Sequence, residues 1–200
     1  MKRDPWIVID VVEGVYAPAE DSELLIESID PKPGQRVLEV GTGSGIVALH
    51  CAAAGASVTG TDANPDAARC ARDNATANVL GENAEGGRGL SIVLCDLANG
   101  VRGPFDLVLF NPPYLPGKMG QPAADGGAGG IEVVSRMLQD LPRLLAPGGR
   151  CIIILSNHSD EAALVRLFHK LAFQPLRTKQ LFFEVLNSYE IRMTKNEWYK

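Results

Sequence analysis

The stretch EVGTGSG, residues 39–45, decides the fold of this chain because it marks the junction between a strand and a helix. The buried apolar run RVLEVG (36–41) leads into it, and the helical pattern GIVALHCAAAG (45–55) follows it. Glycines at 41, 43 and 45 allow the backbone to turn sharply and to approach a ligand closely. We therefore expect a ligand-binding turn at the carboxyl end of the first strand.

Strand and helix patterns alternate along the rest of the chain. Further strands are predicted at 57–62, 90–96, 105–110 and 151–155, with two more between about 178 and 195. Further helices are predicted at 22–29, 65–80, 131–149 and 159–173. In the third of these, Pro142 is expected to cause a kink or a new turn. Apolar strands that alternate with helices indicate an α/β fold: a mostly parallel sheet with helices on both faces.

The spacing of the glycines separates two kinds of ligand. A dinucleotide fingerprint needs its third glycine at position 46, which is isoleucine here. The pattern Glu-x-Gly-x-Gly-x-Gly instead resembles the S-adenosylmethionine (SAM) signature of the seven-stranded, Rossmann-like methyltransferases. Asp62 ends the second strand and can accept hydrogen bonds from ribose hydroxyls, and Asp96 ends the third and can accept from an adenine amino group. The predicted SAM site in this region comprises Glu39, Gly41, Thr42, Gly43, Gly45, Asp62, Ala63, Asp96 and Leu97. A non-catalytic module of the same fold is the alternative.

The fourth predicted strand ends in the tetrapeptide Asn111-Pro112-Pro113-Tyr114. A planar amino group is a poor nucleophile because its lone pair is delocalised, so it must be held with that lone pair aimed at the methyl group. The Asn111 side-chain oxygen and the Pro112 carbonyl oxygen can accept one N–H each, and the Tyr114 ring can cover the flat group. We predict that these four residues form the catalytic site, with Asn111 also contacting SAM. The three histidines are interpreted as structural.

An Asn-Pro-Pro-Tyr after the fourth strand, together with the glycine loop, resembles the amino-methyltransferases, which include DNA adenine and cytosine enzymes and HemK-type protein-glutamine enzymes. Within this group, VYAPAEDSELLIESI (15–29) is similar to the archaeal and eukaryotic HemK-like release-factor glutamine methyltransferases. The resemblance covers residues 13–155. It implies a seven-stranded sheet with an antiparallel C-terminal strand, and it implies that Tyr16, Pro18, Asp21 and Ser22 close the SAM site. The residues alone also permit a simpler reading, in which Asp21 or Ser22 caps the helix.

The resemblance implies a substrate and a partner. The substrate is the Gly-Gly-Gln glutamine of a class I translation release factor, methylated on its side-chain N5; adenine and protein lysine are the alternative acceptors. The partner is a small zinc-binding activator subunit, which would dock on the strand at 90–96 as an exposed edge of the sheet. The Gly-rich segment 117–130 has two readings, a spacer or a lid that responds to substrate.

Composition sets the remaining expectations. We expect one domain over residues 1–200, with a SAM-covering segment at 1–35 and the Rossmann-like core at 36–200.

Residues 1–100 hold 15 acids and 7 bases, and residues 101–200 hold 9 acids and 12 bases. This distribution argues against an obligate duplex-DNA binder, which needs a pronounced basic face. Four widely spaced cysteines and the absence of a signal-like N-terminus favour a cytoplasmic protein with reduced thiols and no metal site.

Overall fold

The computed structural model describes residues 1–81, 84, 89–113, 131–157, 159 and 172–193. Four helices and seven strands lie within these residues. In chain order they are α1 (Glu20–Ser28), β1 (Arg36–Val40), α2 (Ile46–Ala53), β2 (Ser57–Asp62), α3 (Pro65–Ala77), β3 (Leu90–Leu94), β4 (Phe105–Phe110), α4 (Glu132–Leu144), β5 (Leu145–Ser156), β6 (Ala172–Gln180) and β7 (Val185–Arg192).

The seven strands form one sheet in the order β3-β2-β1-β4-β5-β7-β6. Neighbours from β3 to β5 pair in parallel, whereas β7 runs antiparallel to both β5 and β6. The predicted mostly parallel sheet with an antiparallel C-terminal strand is therefore confirmed, and β3 lies at one edge as expected.

Two apolar clusters cover the two faces of the sheet. On one face, Leu107 and Leu109 of β4 belong to a core that includes buried side chains of α1, α2 and α3. On the other face, Val108 and Phe110 pack in a core with five buried residues of α4. Successive strand residues point to opposite faces, so the continuous apolar run of β4 supplies both cores. The predicted helices on both faces are confirmed.

Several predicted boundaries are wrong, and the strand predicted at 151–155 begins at Leu145. The helix predicted over 131–149 ends at Leu144, with Pro142 inside its last turn, because residues from Leu145 onward already belong to β5. The helix predicted over 159–173 lies mostly outside the described residues, and its last residues, from Ala172, begin β6. The first of the two final strands consequently starts earlier than predicted.

The thiols agree with the expectation of reduced cysteines. All four cysteines are free, and burial raises the pKa of Cys151 to about 12.

Among the described helices, none combines the length and apolar character that a membrane crossing requires.

Candidate active site

Most of the predicted site residues surround one cleft of about 990 Å³ at the carboxyl ends of β1, β2 and β4. Loops that follow parallel neighbouring strands meet at the same edge of the sheet, which explains why residues far apart in sequence converge here. The predicted residues that line the cleft are Tyr16, Pro18, Asp21, Ser22, Glu39, Gly41, Thr42, Gly43, Asp62, Ala63, Asp96, Leu97, Asn111, Pro112 and Pro113.

One described site residue, Gly45, is not among those lining the cleft. Gly45 is the N-cap of α2 with φ of 84°, and an added Cβ would lie 3.1 Å from the Cβ of Ala71. Its lack of a side chain therefore serves the close packing of the turn on α3. Tyr114 and the segment 117–130 lie outside the described residues.

The glycine loop is held from beneath by Glu39. This side chain is buried, and its Oε2 accepts hydrogen bonds from the Thr42 hydroxyl at 2.8 Å and from the Ala48 amide at 2.9 Å. Burial raises the pKa of Glu39 to about 8, although both hydrogen bonds act in the opposite direction. Glu39 therefore positions the loop. Above it, a Cβ added at Gly41 would meet nothing within 4 Å, so the loop leaves open space for a ligand.

The carboxylate of Asp62 is oriented by two backbone amides. Its Oδ2 accepts from Gly43 N and its Oδ1 from Asn64 N, both at 2.9 Å. A carboxylate oxygen has more than one acceptor lone pair, so Asp62 keeps the capacity to bind a diol while it is held in place. This chemistry fits the ribose of SAM.

Tyr16 and Asp21 form the wall of the cleft that the N-terminal segment contributes. The Tyr16 hydroxyl donates to Asp21 Oδ2 at 2.9 Å, and the Ser22 amide donates to Asp21 Oδ1 at 2.6 Å. Burial raises the pKa of Tyr16, and the charge of Asp21 raises it further. The simpler reading of Asp21 or Ser22 as a helix cap is wrong, because α1 already begins at Glu20 with Ala19 as its N-cap.

Three asparagines hold the N-terminal segment, and sequence reasoning missed them: Asn64 at the N-cap of α3, Asn74 within it and Asn78 at its C-cap. Asn74 accepts from Asp10 N at 2.9 Å and donates to Asp10 O at 2.8 Å, while Asn78 makes the same pair of bonds with Val8. Asn74 also donates to Ser44 O of the glycine loop at 2.9 Å. Asn64 Nδ2 donates to Gly14 O. The only available signal was the spacing of Asn74 and Asn78, which places two amides on one face of a helix.

His50 fastens the start of the same segment, which agrees with its interpretation as structural. Its Nε2 accepts from Asp4 N at 2.8 Å, so Nδ1 carries the proton and donates to Ile46 O at 2.7 Å. Burial lowers the pKa of His50 and favours this neutral form. His158 and His169 lie outside the described residues.

Asp96 and Leu97 lie at the side of the cleft below β3. Asp96 forms an ion pair with Arg136 of α4, a contact that the sequence did not reveal. Leu97 has φ of 48°, a left-handed conformation that is uncommon for a residue with a side chain. Such strain is often found at ligand sites.

The side-chain oxygen of Asn111 is buried, and no group in the described part of the chain donates a hydrogen bond to it. A buried acceptor without a donor costs free energy, of the order of 1–3 kcal/mol. Because Asn111 also lines the cleft, this oxygen has the position and the unused capacity to accept an N–H of a bound molecule.

Comparisons with known proteins agree with the fold and the cleft. Residues 11–185 match the family described as the methyltransferase small domain. A protein of Methanocaldococcus jannaschii, whose name assigns it to the protein N5-glutamine methyltransferases, is 36% identical over 168 residues, which cover 80% of this chain and 81% of that protein. Methyltransferase HEMK2 of Mus musculus is 34% identical over 172 residues, which cover 74% and 75% of the two chains.

A solved structure has the same fold. It is the E. cuniculi Mtq2–Trm112 complex, described as responsible for methylation of the eRF1 translation termination factor. Its matching chain superimposes with a TM-score of 0.70 at 20% identity, over 90% of this chain and 99% of that chain.

The seven-stranded sheet and the cleft at its carboxyl edge define a Rossmann-like methyltransferase. Within that class, the chain belongs to the methyltransferase small domain family, and there to its HemK-like protein-glutamine methyltransferases.

Proposed function

We propose that this protein transfers a methyl group from SAM to the side-chain amide nitrogen of the glutamine in the Gly-Gly-Gln motif of a class I translation release factor. The buried oxygen of Asn111, which accepts no hydrogen bond from the described part of the chain, is the observation that carries the proposal. The names of the relatives support glutamine as the acceptor, and the described function of the E. cuniculi complex supports a termination factor as the substrate. We place the reaction in the cytoplasm, where translation takes place.

The cleft fits SAM by size and by chemistry. Its volume of about 990 Å³ lies at the upper end of the usual range for small-molecule sites. In our proposal Asp62 accepts from the ribose hydroxyls, Asp96 and Leu97 flank the adenine, and the loop Gly41–Gly43 contacts the methionine part. Asp21 and Asp62 supply negative charge that suits a cation. SAM would supply a methyl group on a positively charged sulfur: as the nitrogen lone pair takes the methyl group, the carbon–sulfur bond breaks, S-adenosylhomocysteine leaves, and the nitrogen loses one proton to water.

Asn111 and Pro112 then orient the acceptor. Each amide N–H of the glutamine donates to one oxygen, the Asn111 side chain or the Pro112 carbonyl, which turns the nitrogen lone pair towards the methyl group. As positive charge develops on nitrogen, both hydrogen bonds strengthen, so the two oxygens stabilise the transition state more than the ground state. Adenine N6 is the alternative acceptor because its amino group is also planar. A lysine amine would gain little from two such acceptors.

We further propose a small zinc-binding activator subunit on the open edge of β3. Among the described strands, β3 pairs only with β2, and Leu94 at its end is 55% exposed. An unpaired edge without charge or proline is normally protected by another element or another chain. The E. cuniculi chain of the same fold is solved in complex with a second protein, Trm112, which supports a partner subunit.

The substitution Asn111→Ala tests the role of Asn111. We expect single-turnover methyl transfer to fall by about a hundredfold or more, since an acceptor that stabilises developing charge is lost. SAM affinity, measured by calorimetry, should change by less than about threefold. Asn111→Asp keeps an oxygen acceptor and should retain part of the rate, while Asn99→Ala, an exposed asparagine outside the cleft, is the matched control. Equal losses of SAM binding and transfer would mean that Asn111 is mainly a cofactor residue.

A further inference from the structure

The turn between β6 and β7 exposes two adjacent aromatic side chains. Phe182 is 91% exposed and Phe183 is 83% exposed, and their rings form an edge-to-face pair with centroids 4.6 Å apart. Phenylalanine gives a tight turn no conformational advantage, because such turns favour Gly, Asn or Asp. Two exposed rings also invite aggregation. Turn geometry therefore does not explain why phenylalanine stands at both positions.

The turn is held rigidly against the sheet. Leu181 N donates to Glu184 O at 2.8 Å across the turn. Asn157, directly after β5, donates its amide to Val185 O at 3.0 Å and accepts from Val185 N through Oδ1 at 2.9 Å. On the other strand, Lys179 forms an ion pair with Glu23 of α1 at 3.0 Å. A rigid aromatic pair loses little conformational entropy when it binds a partner.

The strand register places the turn beside the candidate active site. Phe110 of β4 pairs with Ile153 of β5, so the next residue, Asn111, is level with Ile154. Ile154 pairs with Ser188 of β7. Glu184 precedes Ser188 by four residues, which at about 3.3 Å per residue puts it about 13 Å beyond the level of Asn111. Two strand spacings separate β4 from β7, which adds about 10 Å sideways. The direct separation between Asn111 and Glu184 is therefore about 16 Å. An extended segment of about five residues has this length.

Glu184 adds a polar group beside the aromatic pair. Its Oε1 is buried, and within the described residues it accepts no hydrogen bond. Its charge also acts on the cleft. Burial and the charge of Asp21 raise the pKa of Tyr16, and the charge of Glu184 raises it further. Glu184 therefore lies near enough to Tyr16 for its charge to reach this wall of the cleft.

We propose that Phe182, Phe183 and Glu184 form a docking site for the protein segment about five residues from the methylated glutamine. The aromatic pair would bind an apolar side chain of that segment, and the Glu184 carboxylate would accept a backbone N–H or the charge of a basic residue. A nucleic acid suits this surface poorly, because single strands bind where aromatic faces combine with basic groups, and a carboxylate repels phosphate. This inference rests on the proposed protein-glutamine activity.

The test compares two substrates of different length. The enzyme, prepared with the activator subunit, is assayed on a purified release factor and on a five-residue peptide centred on its Gly-Gly-Gln glutamine. The variants are the double substitution Phe182→Ser/Phe183→Ser and the isosteric Glu184→Gln. Trp6→Ser removes an aromatic residue of similar exposure, 86%, that does not line the cleft, and is the matched control.

We expect the double variant to raise KM for the release factor about tenfold, as expected when a central aromatic contact is lost. Glu184→Gln should raise it less. For the double variant, kcat on the release factor and the kinetics on the short peptide should stay within about twofold of the wild type. An unchanged KM for the release factor would overturn the docking site. A dimeric wild type that becomes monomeric in the double variant would assign the rings to a self-interface and would also overturn it. If the wild type methylates neither substrate, the proposed function itself fails.

Discussion

At the residue scale, Glu39 shows how one side chain serves both the fold and the site. It is the next-to-last residue of β1, inside the core, and accepts hydrogen bonds from Thr42 in the turn and from Ala48 in α2. The sequence placed Glu39 at the site, because an acid before the glycine loop is part of the recognisable pattern. That its carboxylate faces the loop could not be predicted, since it depends on which way the turn folds over the strand.

The raised pKa of Glu39 predicts a pH-dependent stability. The unfolded carboxyl loses its proton near pH 4.5, whereas the folded one retains it up to about pH 8. Between these values the folded state binds more protons, so this group lowers the free energy of unfolding as pH rises, by up to about 1.4 kcal/mol per pH unit. Glu39→Gln keeps an oxygen acceptor but cannot ionise. Urea denaturation should show the variant gaining stability relative to the wild type from pH 5 to pH 8. A difference that stays constant with pH would contradict the assigned cause.

At the scale of elements, α3 does more than cover the sheet. Asn74 connects two segments, because it binds Asp10 of the N-terminal segment and Ser44 of the glycine loop at once. Hydrophobic periodicity predicted α3 well, but it carries no information on contacts between residues 64 positions apart. The N-terminal segment has no regular structure before α1, so its place beside the cleft depends on these side-chain bonds.

Asn74→Ala should weaken SAM binding without slowing transfer at saturation. It removes bonds from both segments, so we expect SAM affinity to fall about tenfold and hydrogen exchange at Asp10 to increase, while kcat at saturating SAM stays within about threefold. Asn78→Ala is the matched control, because it loses the equivalent contact with Val8 but none with the glycine loop. Equal SAM affinities in the two folded variants would refute the coupling through Asn74.

At the scale of the whole molecule, the sheet order was predictable and the surfaces were not. Alternating strands and helices sufficed for a mostly parallel sheet, whereas its antiparallel C-terminal strand and the edge position of β3 were expected from the family resemblance. The ion pair of Asp96 with Arg136 and the approach of Glu184 to Tyr16 join segments distant in sequence, so local patterns could not indicate them. The candidate active site is formed by residues at the carboxyl ends of the parallel strands. The proposed docking surfaces instead depend on the positions of β6, β7 and the open edge of β3.

The most direct measurement locates the transferred methyl group. The protein is incubated with SAM and a purified class I release factor, with and without a co-expressed zinc-binding subunit, and the products are mapped by peptide mass spectrometry. We predict one methyl group on the glutamine of Gly-Gly-Gln, a higher rate with the subunit, and no product when that glutamine is replaced by leucine. Methylation of a lysine in the release factor with none on the glutamine would contradict the account, as would transfer to adenine in a parallel reaction with a nucleic acid.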